Sequence, residues 1–415
     1  QRAFIVDYDD FNPFLDSFRE RLGSRQRKQD KALKNWRLWD HMDAILTLAV
    51  TRLSGAIREP EAQGREAHRI APEELARLNR LQQRDLLLLA ACYDNDREYS
   101  PLQRWSKLRS RLGFSIWKTW GDRALGVGVT LLIVAFALWW WEGVGGLGQT
   151  WVWLAILAAW FPYLRHQLRL LWYAWSIQRQ IRVFDHQVQP LRKMLGKFER
   201  GELIGQPLPT RTRGDDRYEL LMKLQSVLGT LGFSSLVVLV DRVDEPHLVN
   251  GSPERMRDLI WPMFDNKFLK HPGIAFKLLL PEAVVPYLQR EEKEFYERSR
   301  LDKQNLIPSL NWTGQGLYDV ANDRIRACAK LAEKSKPGIQ DLFEQSITPT
   351  ELITTFDRLR VPRHLFKFLF RLLVDHCSKY TEDAPEWKIR RETLQTSLAM
   401  FLRDLQAYDA KRGVG

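Results

Sequence analysis

The chain has 415 residues, 45% of them hydrophobic, and a formal net charge of +12. That length leaves room for one sizeable domain and a smaller one. Its three cysteines lack paired or metal-type spacing and its eight histidines are scattered, which excludes a disulfide scaffold and a zinc site of familiar spacing. No G-x-S-x-G segment occurs, so a serine hydrolase of the nucleophile-elbow type is excluded as well.

Positive charge flanks an almost uncharged central segment. From Ala124 to Leu164 the only charged residue is Glu142, whereas residues 101–123 and 165–200 are rich in Lys and Arg. Each half of this segment approaches the length that crosses a hydrocarbon core of roughly 30 Å. The pattern predicts a transmembrane helical hairpin over residues 123–165, in contact with membrane lipids and with the soluble parts in the cytoplasm. Nucleic-acid binding is another common reason for an excess of Lys and Arg. Here the excess is concentrated beside the hairpin, so contact with lipid explains it more simply.

Short apolar runs predict a small parallel sheet. Strands are expected at Ala3–Tyr8, Ser235–Val240 and Gly273–Leu280. Helical patterns lie between them, at residues 36–57, 72–93, 165–198, 218–231 and 253–264. From Leu317 onward only helices are predicted, at residues 317–334, 349–358, 362–380 and 387–409. Alternating strands and helices indicate an α/β core, followed by an all-α C-terminal domain.

These patterns divide the chain into six predicted segments. They are the start of the core (1–22), a helical cytoplasmic insertion (23–122), the hairpin (123–165), a juxtamembrane helix with a linker (166–214), the rest of the core (215–312) and a helical lid (313–415).

Three acids follow the second predicted strand. Asp241, Asp244 and Glu245 come directly after the apolar run that ends at Val240. In open parallel sheets, ligands bind at the carboxyl ends of the strands. Nucleotide-hydrolysing sites use one such acid to hold Mg²⁺ and another to orient the attacking water. Asp241 suits the first role, and Glu245 with Asp244 suits the second. The alternative is an acidic turn that simply follows a buried strand.

The apolar strand, the D-x-x-D-E run and a membrane hairpin inserted ahead of them resemble the KAP-type P-loop NTPases, which are relatives of the STAND and AAA+ ATPases. The resemblance implies a P-loop NTPase-like parallel sheet core, with Ser235–Glu245 as the Walker B segment and ATP and Mg²⁺ as cofactors. It further implies a homo-oligomer at the bacterial inner membrane, acting with unidentified protein partners as a conformational or oligomerisation switch in signalling or phage defence.

The same resemblance assigns roles to three arginines. Arg298 and Arg300 correspond to residues that reach a phosphate, as an arginine finger does, although an exposed helix end with salt bridges explains them equally well. Arg363, in Val361–Leu365, corresponds to an arginine that senses nucleotide from the lid. Two departures accompany these matches. Leu280–Glu282 offers no Asn or Thr to sense phosphate, and Arg360-Val361 replaces the usual Gly-Asn.

The largest departure is that the chain contains no G-x-x-x-x-G-K-[ST] loop to cradle phosphates. Since the chain begins inside a predicted strand and without methionine, we expect such a loop to lie upstream of Gln1. The main alternative is a catalytically degenerate NTPase-fold membrane scaffold, and a third hypothesis is an oligomeric membrane-permeabilising effector. The genomic residues before Gln1 would separate the first two.

Overall fold

A computed structural model shows a mostly helical protein built around a small sheet. It describes residues 2–23, 29–60, 70–96, 98–116, 121–140, 150–211, 214–289, 307, 310–328, 337–380 and 384–412. Within this part of the chain the strands are β1 (Arg2–Tyr8), β2 (Phe233–Val240) and β3 (Ile274–Leu278). The helices between β1 and β2 are α1 (Asn12–Glu20), α2 (Gln29–Ala32), α3 (Leu38–Arg58), α4 (Pro72–Ala76), α5 (Arg80–Tyr93), α6 (Pro101–Leu112), α7 (Gly121–Trp140), α8 (Thr150–Gln180), α9 (Val188–Leu195), α10 (Arg200–Leu203) and α11 (Asp215–Thr230).

After β2 the chain remains predominantly helical. The later helices are α12 (Pro253–Ile260), α13 (Asn266–Leu269), α14 (Val285–Gln289), α15 (Gly314–Cys328), α16 (Pro349–Asp357), α17 (Pro362–Lys379) and α18 (Arg391–Arg412). Local sequence explains several of their boundaries. For example, α5 begins with a capping box, because the Asn79 side chain accepts from the Gln82 amide at 2.9 Å while the Gln82 side chain accepts from the Asn79 amide at 3.3 Å.

The three strands are parallel, in the order β1–β2–β3. Tyr8 is in register with Val240, and Val240 with Leu278, so the strands end at the same edge of the sheet. Alternate residues of β1 are fully buried, which places Phe4, Val6 and Tyr8 in the core. Residues 9–232, which separate β1 from β2 in sequence, contribute helices to this core.

One arginine fastens α1 to the end of α8. The last carbonyls of a helix have no partner within it and must be satisfied from outside. Arg21 donates to the carbonyls of Gln178 and Ile181, each at 2.5 Å, and to that of Phe184 at 2.8 Å. It also pairs with Asp185 at 2.7 Å. This interaction anchors the start of the core to the segment that leaves the α7–α8 hairpin.

The chain divides into two compact units, residues 1–302 and 303–415. The first holds the sheet and α1–α14. The second has its own core, built from α15–α18, in which Leu317, Phe356, Leu365 and Phe368 are fully buried.

The prediction of a P-loop NTPase-like α/β core is wrong for the chain as described. The parallel sheet has only three strands, and helices dominate the rest of the described residues. Between Tyr8 and Phe233, the described residues that show a periodic apolar pattern form helices. These helices pack on the sheet and on one another. The fold is therefore mostly helical, with a small parallel sheet inside the first unit.

The predicted transmembrane hairpin over residues 123–165 is also wrong. Among the described residues, no helix combines the length and the apolar character that crossing a membrane requires. The uncharged part of α7 runs from Ala124 to Trp140, and that of α8 from Thr150 to Leu164. Both are shorter than the about 20 residues that span a bilayer, and α8 continues through Arg165 and Arg169.

Candidate functional site

Acids gather where β1 and β2 end. The amide of Asp241 donates to the carbonyl of Tyr8 at 3.3 Å, so the residues after the two strands leave the sheet side by side. We call this region the acidic edge and define it as Asp9, Asp10, Asp241, Asp244 and Glu245. Asp244 is half-buried and the other four are exposed. The strand pairing thus places the segment that carries the three acids after β2 next to the segment that carries the two acids after β1.

The turn after β2 has an unusual backbone. Arg242 has φ of 54°, in the left-handed region that non-glycine residues rarely adopt. Its amide donates to Asp241 Oδ1 at 2.8 Å, and its carbonyl accepts from the amide of Glu245 at 3.2 Å. The Arg242 guanidinium lies 3.8 Å from the Glu245 carboxylate, with both side chains more than half exposed. The turn therefore holds Asp241 and Glu245 on one tight loop, with the Arg242 guanidinium beside Glu245.

A histidine ties this loop to α1. The backbone amide of His247 donates to Asn12 Oδ1 at 3.1 Å, and its ring Nδ1 lies 2.8 Å from the same oxygen. Its Nε2 lies 3.1 Å from an Asp16 carboxylate oxygen. His247 and Asn12 thus fix the loop after β2 against the start of α1.

Of the three predicted arginines, the structure describes Arg363 alone. Arg298 and Arg300 lie outside the described residues. Arg363 is exposed in the first turn of α17, in the second unit, whereas the acidic edge belongs to the first. The phosphate-sensing and arginine-finger roles remain predictions from the resemblance.

The acidic edge is not a closed metal cage. Among the described residues, no group of three His, Cys, Asp or Glu side chains is placed to hold a metal ion. Magnesium at nucleotide sites does not need one, since it keeps several waters and takes one or two carboxylates together with substrate phosphates. The exposed Asp241 carboxylate is compatible with that kind of binding.

Behind the acidic edge lies a buried polar cluster, formed by Tyr8, Asp40, His41, Asp43, Tyr93 and Arg217, together with the partly exposed Arg182. His41 Nε2 lies 2.8 Å from the carbonyl of Leu259, and a carbonyl can only accept. Nε2 therefore carries the proton, and Nδ1 accepts from the Tyr8 hydroxyl at 3.1 Å. The last residue of β1 is thus connected through α3 to the backbone of α12.

Burial sets the charge states in this cluster. Loss of hydration lowers the pKa of His41 to about 4, which keeps the ring neutral at physiological pH. Burial raises the pKa of Asp40 to about 6, although the neighbouring Arg182 acts to lower it. Asp40 nevertheless pairs with Arg182 at 2.5 Å.

We expect His41 to make the protein sensitive to acid. Its pKa is lower in the folded chain than in the unfolded chain, so the folded state becomes less stable as the pH falls from about 6.5 toward 4. Asp40 has the opposite effect, because its pKa is higher in the folded chain than in the unfolded chain. Its contribution to the stability of the fold is greatest at low pH and is lost as the pH rises through about 6.

The measurement compares urea unfolding of the protein with that of its His41→Gln variant across this pH range. The variant is less stable at pH 7, but its disadvantage should shrink by on the order of 3 kcal/mol by pH 4, because only the unmodified protein must then deprotonate His41 to fold. A difference that stays constant with pH would contradict a buried neutral His41.

Several residues of this region were not predicted from the sequence. Asn12 and Asp16 hold His247, and Asp9 and Asp10 complete the acidic edge. The sequence does contain a signal that could have identified Asp9 and Asp10, since they follow a predicted strand just as Asp241 does. The contacts of Asn12 and His247 join residues 235 positions apart, and no local pattern indicates them.

Comparisons of the chain with protein-family models, with characterised proteins and with solved structures gave no match.

Proposed function

We propose that this protein is a magnesium-dependent ATPase whose site is the acidic edge. The observation that carries the proposal is the adjacency of the ends of β1 and β2, joined by the hydrogen bond from Asp241 to Tyr8. The edge gathers acids from both strand ends at the position where parallel sheets bind ligands.

Each of the three residues after β2 has a role in this proposal that fits its position. Asp241 would share Mg²⁺ with the phosphates of the nucleotide, and the metal would neutralise charge that develops on them. Glu245 would accept a hydrogen bond, and then a proton, from the water that attacks the γ-phosphorus. Asp244 would support the loop, since its carbonyl accepts from the amide of Gly251 at 3.0 Å.

Arg242 supports the proposal in a second way. A strained backbone often marks a functional site, because the surrounding structure must hold it. Here the left-handed residue stands between the proposed metal ligand and the proposed base, and its guanidinium lies 3.8 Å from Glu245. We propose that the ion pair between Arg242 and Glu245 opens when nucleotide binds. Glu245 then faces the nucleotide, and the Arg242 guanidinium turns toward a phosphate.

Hydrogen–deuterium exchange on the full-length protein tests the location of the site. Adding Mg²⁺ with a non-hydrolysable ATP analogue should slow exchange in peptides that cover residues 9–12 and 241–251. Peptides from α9, which lies elsewhere in the first unit, serve as the control and should not change. Chelating Mg²⁺ should remove most of the protection at residues 241–251.

Two results would overturn the proposal. Nucleotide binding that protects other segments while residues 241–251 exchange as before would move the site away from the acidic edge. Absence of nucleotide binding under all conditions would favour the catalytically inactive scaffold.

A further inference from the structure

A basic cavity of about 300 Å³ lies where α8 passes α10. Three arginines line it, Arg165 and Arg169 from α8 and Arg200 from α10, and no acid is among the lining residues. Arg200 is held at this place by donating to the carbonyl of Pro162 at 3.0 Å. The nearby Glu199 and Glu202 both form ion pairs with Arg80, which is not one of the arginines that line the cavity. The cavity therefore suits a compact anion.

One wall of the cavity continues into an apolar stripe along α8. Leu154, Leu157, Phe161 and Leu168 are each at least 60% exposed. At 100° per residue, all four lie on the side of α8 that carries Arg165. From Leu154 to Arg165 the helix rises about 16 Å, which is comparable to an acyl chain. The exposed stripe therefore leads to the basic cavity.

Another side of α8 is already packed against α7. Trp160 donates to the hydroxyl of Thr130 at 2.8 Å, and its ring lies against Gly126. The packed side is thus distinct from the stripe. Single exposed apolar residues are ordinary, but a continuous row of large ones marks an interaction surface.

We propose that the cavity and stripe together bind an anionic phospholipid. Its phosphate would lie among Arg165, Arg169 and Arg200, and its acyl chains would lie along the stripe toward Leu154. The combination of a basic head site and an apolar groove favours a lipid over free phosphate, for which the stripe has no use. Binding of this kind does not require either helix to cross the bilayer.

Flotation of the full chain with lipid vesicles tests this proposal. Vesicles of phosphatidylcholine that also contain phosphatidylglycerol should bind the protein more strongly than vesicles of phosphatidylcholine alone. Replacing both Arg165 and Arg169 with Gln should weaken binding to the anionic vesicles roughly tenfold to thirtyfold, as expected for the loss of two basic residues near a charged surface. The matched control removes the same charge from exposed Arg324 and Arg326, and it should bind as the unmodified protein does.

A second variant separates the two parts of the site. Leu157→Gln should weaken binding to both kinds of vesicle, because it alters the stripe and leaves the arginines in place. Equal effects of the two double-arginine variants would overturn the proposal, since they would reflect net charge alone. It would also be overturned by arginine-dependent binding of inorganic phosphate without vesicle binding, or by a dimer that Leu157→Gln disperses and that does not bind vesicles.

Discussion

Replacing Arg217 with Met should lower the free energy of unfolding of the first unit by about 3–5 kcal/mol. Arg217 and Asp43 are both completely buried, and two nitrogens of Arg217 donate to the two carboxylate oxygens at 2.9 Å each. The Tyr93 hydroxyl donates to Asp43 as well, at 2.9 Å. Without Arg217 the carboxylate would be left charged in the core or would have to take up a proton. Burial raises the pKa of Asp43, whereas Arg217 acts to lower it.

Urea unfolding followed by Trp fluorescence measures this effect, since most of the 16 tryptophans lie in the first unit. An exposed pair provides the control: Lys267 and Asp215 are each more than half exposed, and Lys267→Met should cost less than about 1 kcal/mol.

A double variant shows whether the unpaired charge causes the loss. Changing Asp43 to Leu together with Arg217 to Met removes both charges, and it should restore a large part of the stability that Arg217→Met loses. The contrary result is a double variant that loses as much free energy of unfolding as the two single variants lose together. In that case shape and hydrogen bonding, and not the unpaired charge, determine the effect.

Local sequence was sufficient to locate the strands. The runs at Ala3–Tyr8 and Ser235–Val240 differ from β1 and β2 by one or two residues at their starts. Patterning worked because buried β-branched and aromatic residues bounded by turn residues favour strands strongly. It also placed the helix that the structure shows at Pro362–Lys379, where proline occupies the first helical position.

Helix boundaries inside long apolar stretches were harder to predict. The single helix predicted at residues 72–93 is two helices, because Asn79 caps a new one at Arg80. The helix predicted from residue 165 begins at Thr150 and ends at Gln180, where Arg21 satisfies its terminal carbonyls. That contact joins residues 157 positions apart, so the local sequence cannot indicate it.

The acidic edge was only half visible from the sequence. Asp241, Asp244 and Glu245 stand next to a predicted strand, and that sufficed to single them out. The pairing of β1 with β2 across more than 200 residues brings the ends of both strands together, and with them Asp9 and Asp10. The buried polar cluster was missed for the same reason, because Asp43 and Arg217 lie 174 positions apart.

Glu245→Gln should lower the rate of ATP hydrolysis roughly 10²–10⁴-fold, the range expected for the loss of a general base. Gln keeps the size and the hydrogen-bonding capacity of the side chain but cannot accept a proton from water at neutral pH. Since Glu245 is more than half exposed, the change should leave the fold and its stability intact. Nucleotide affinity should also be retained, because Asp241 and the metal are not altered.

Steady-state ATP hydrolysis by the full-length protein, compared with that of its Glu245→Gln and Glu254→Gln variants, tests the account most directly. Glu254 is an exposed glutamate in the first turn of α12, nine residues from Glu245, and it serves as the matched control. We predict magnesium-dependent turnover that survives Glu254→Gln and falls roughly 10²–10⁴-fold in Glu245→Gln while nucleotide still binds. Equal turnover in all three proteins, or none in the unmodified one, would contradict a catalytic role for the acidic edge.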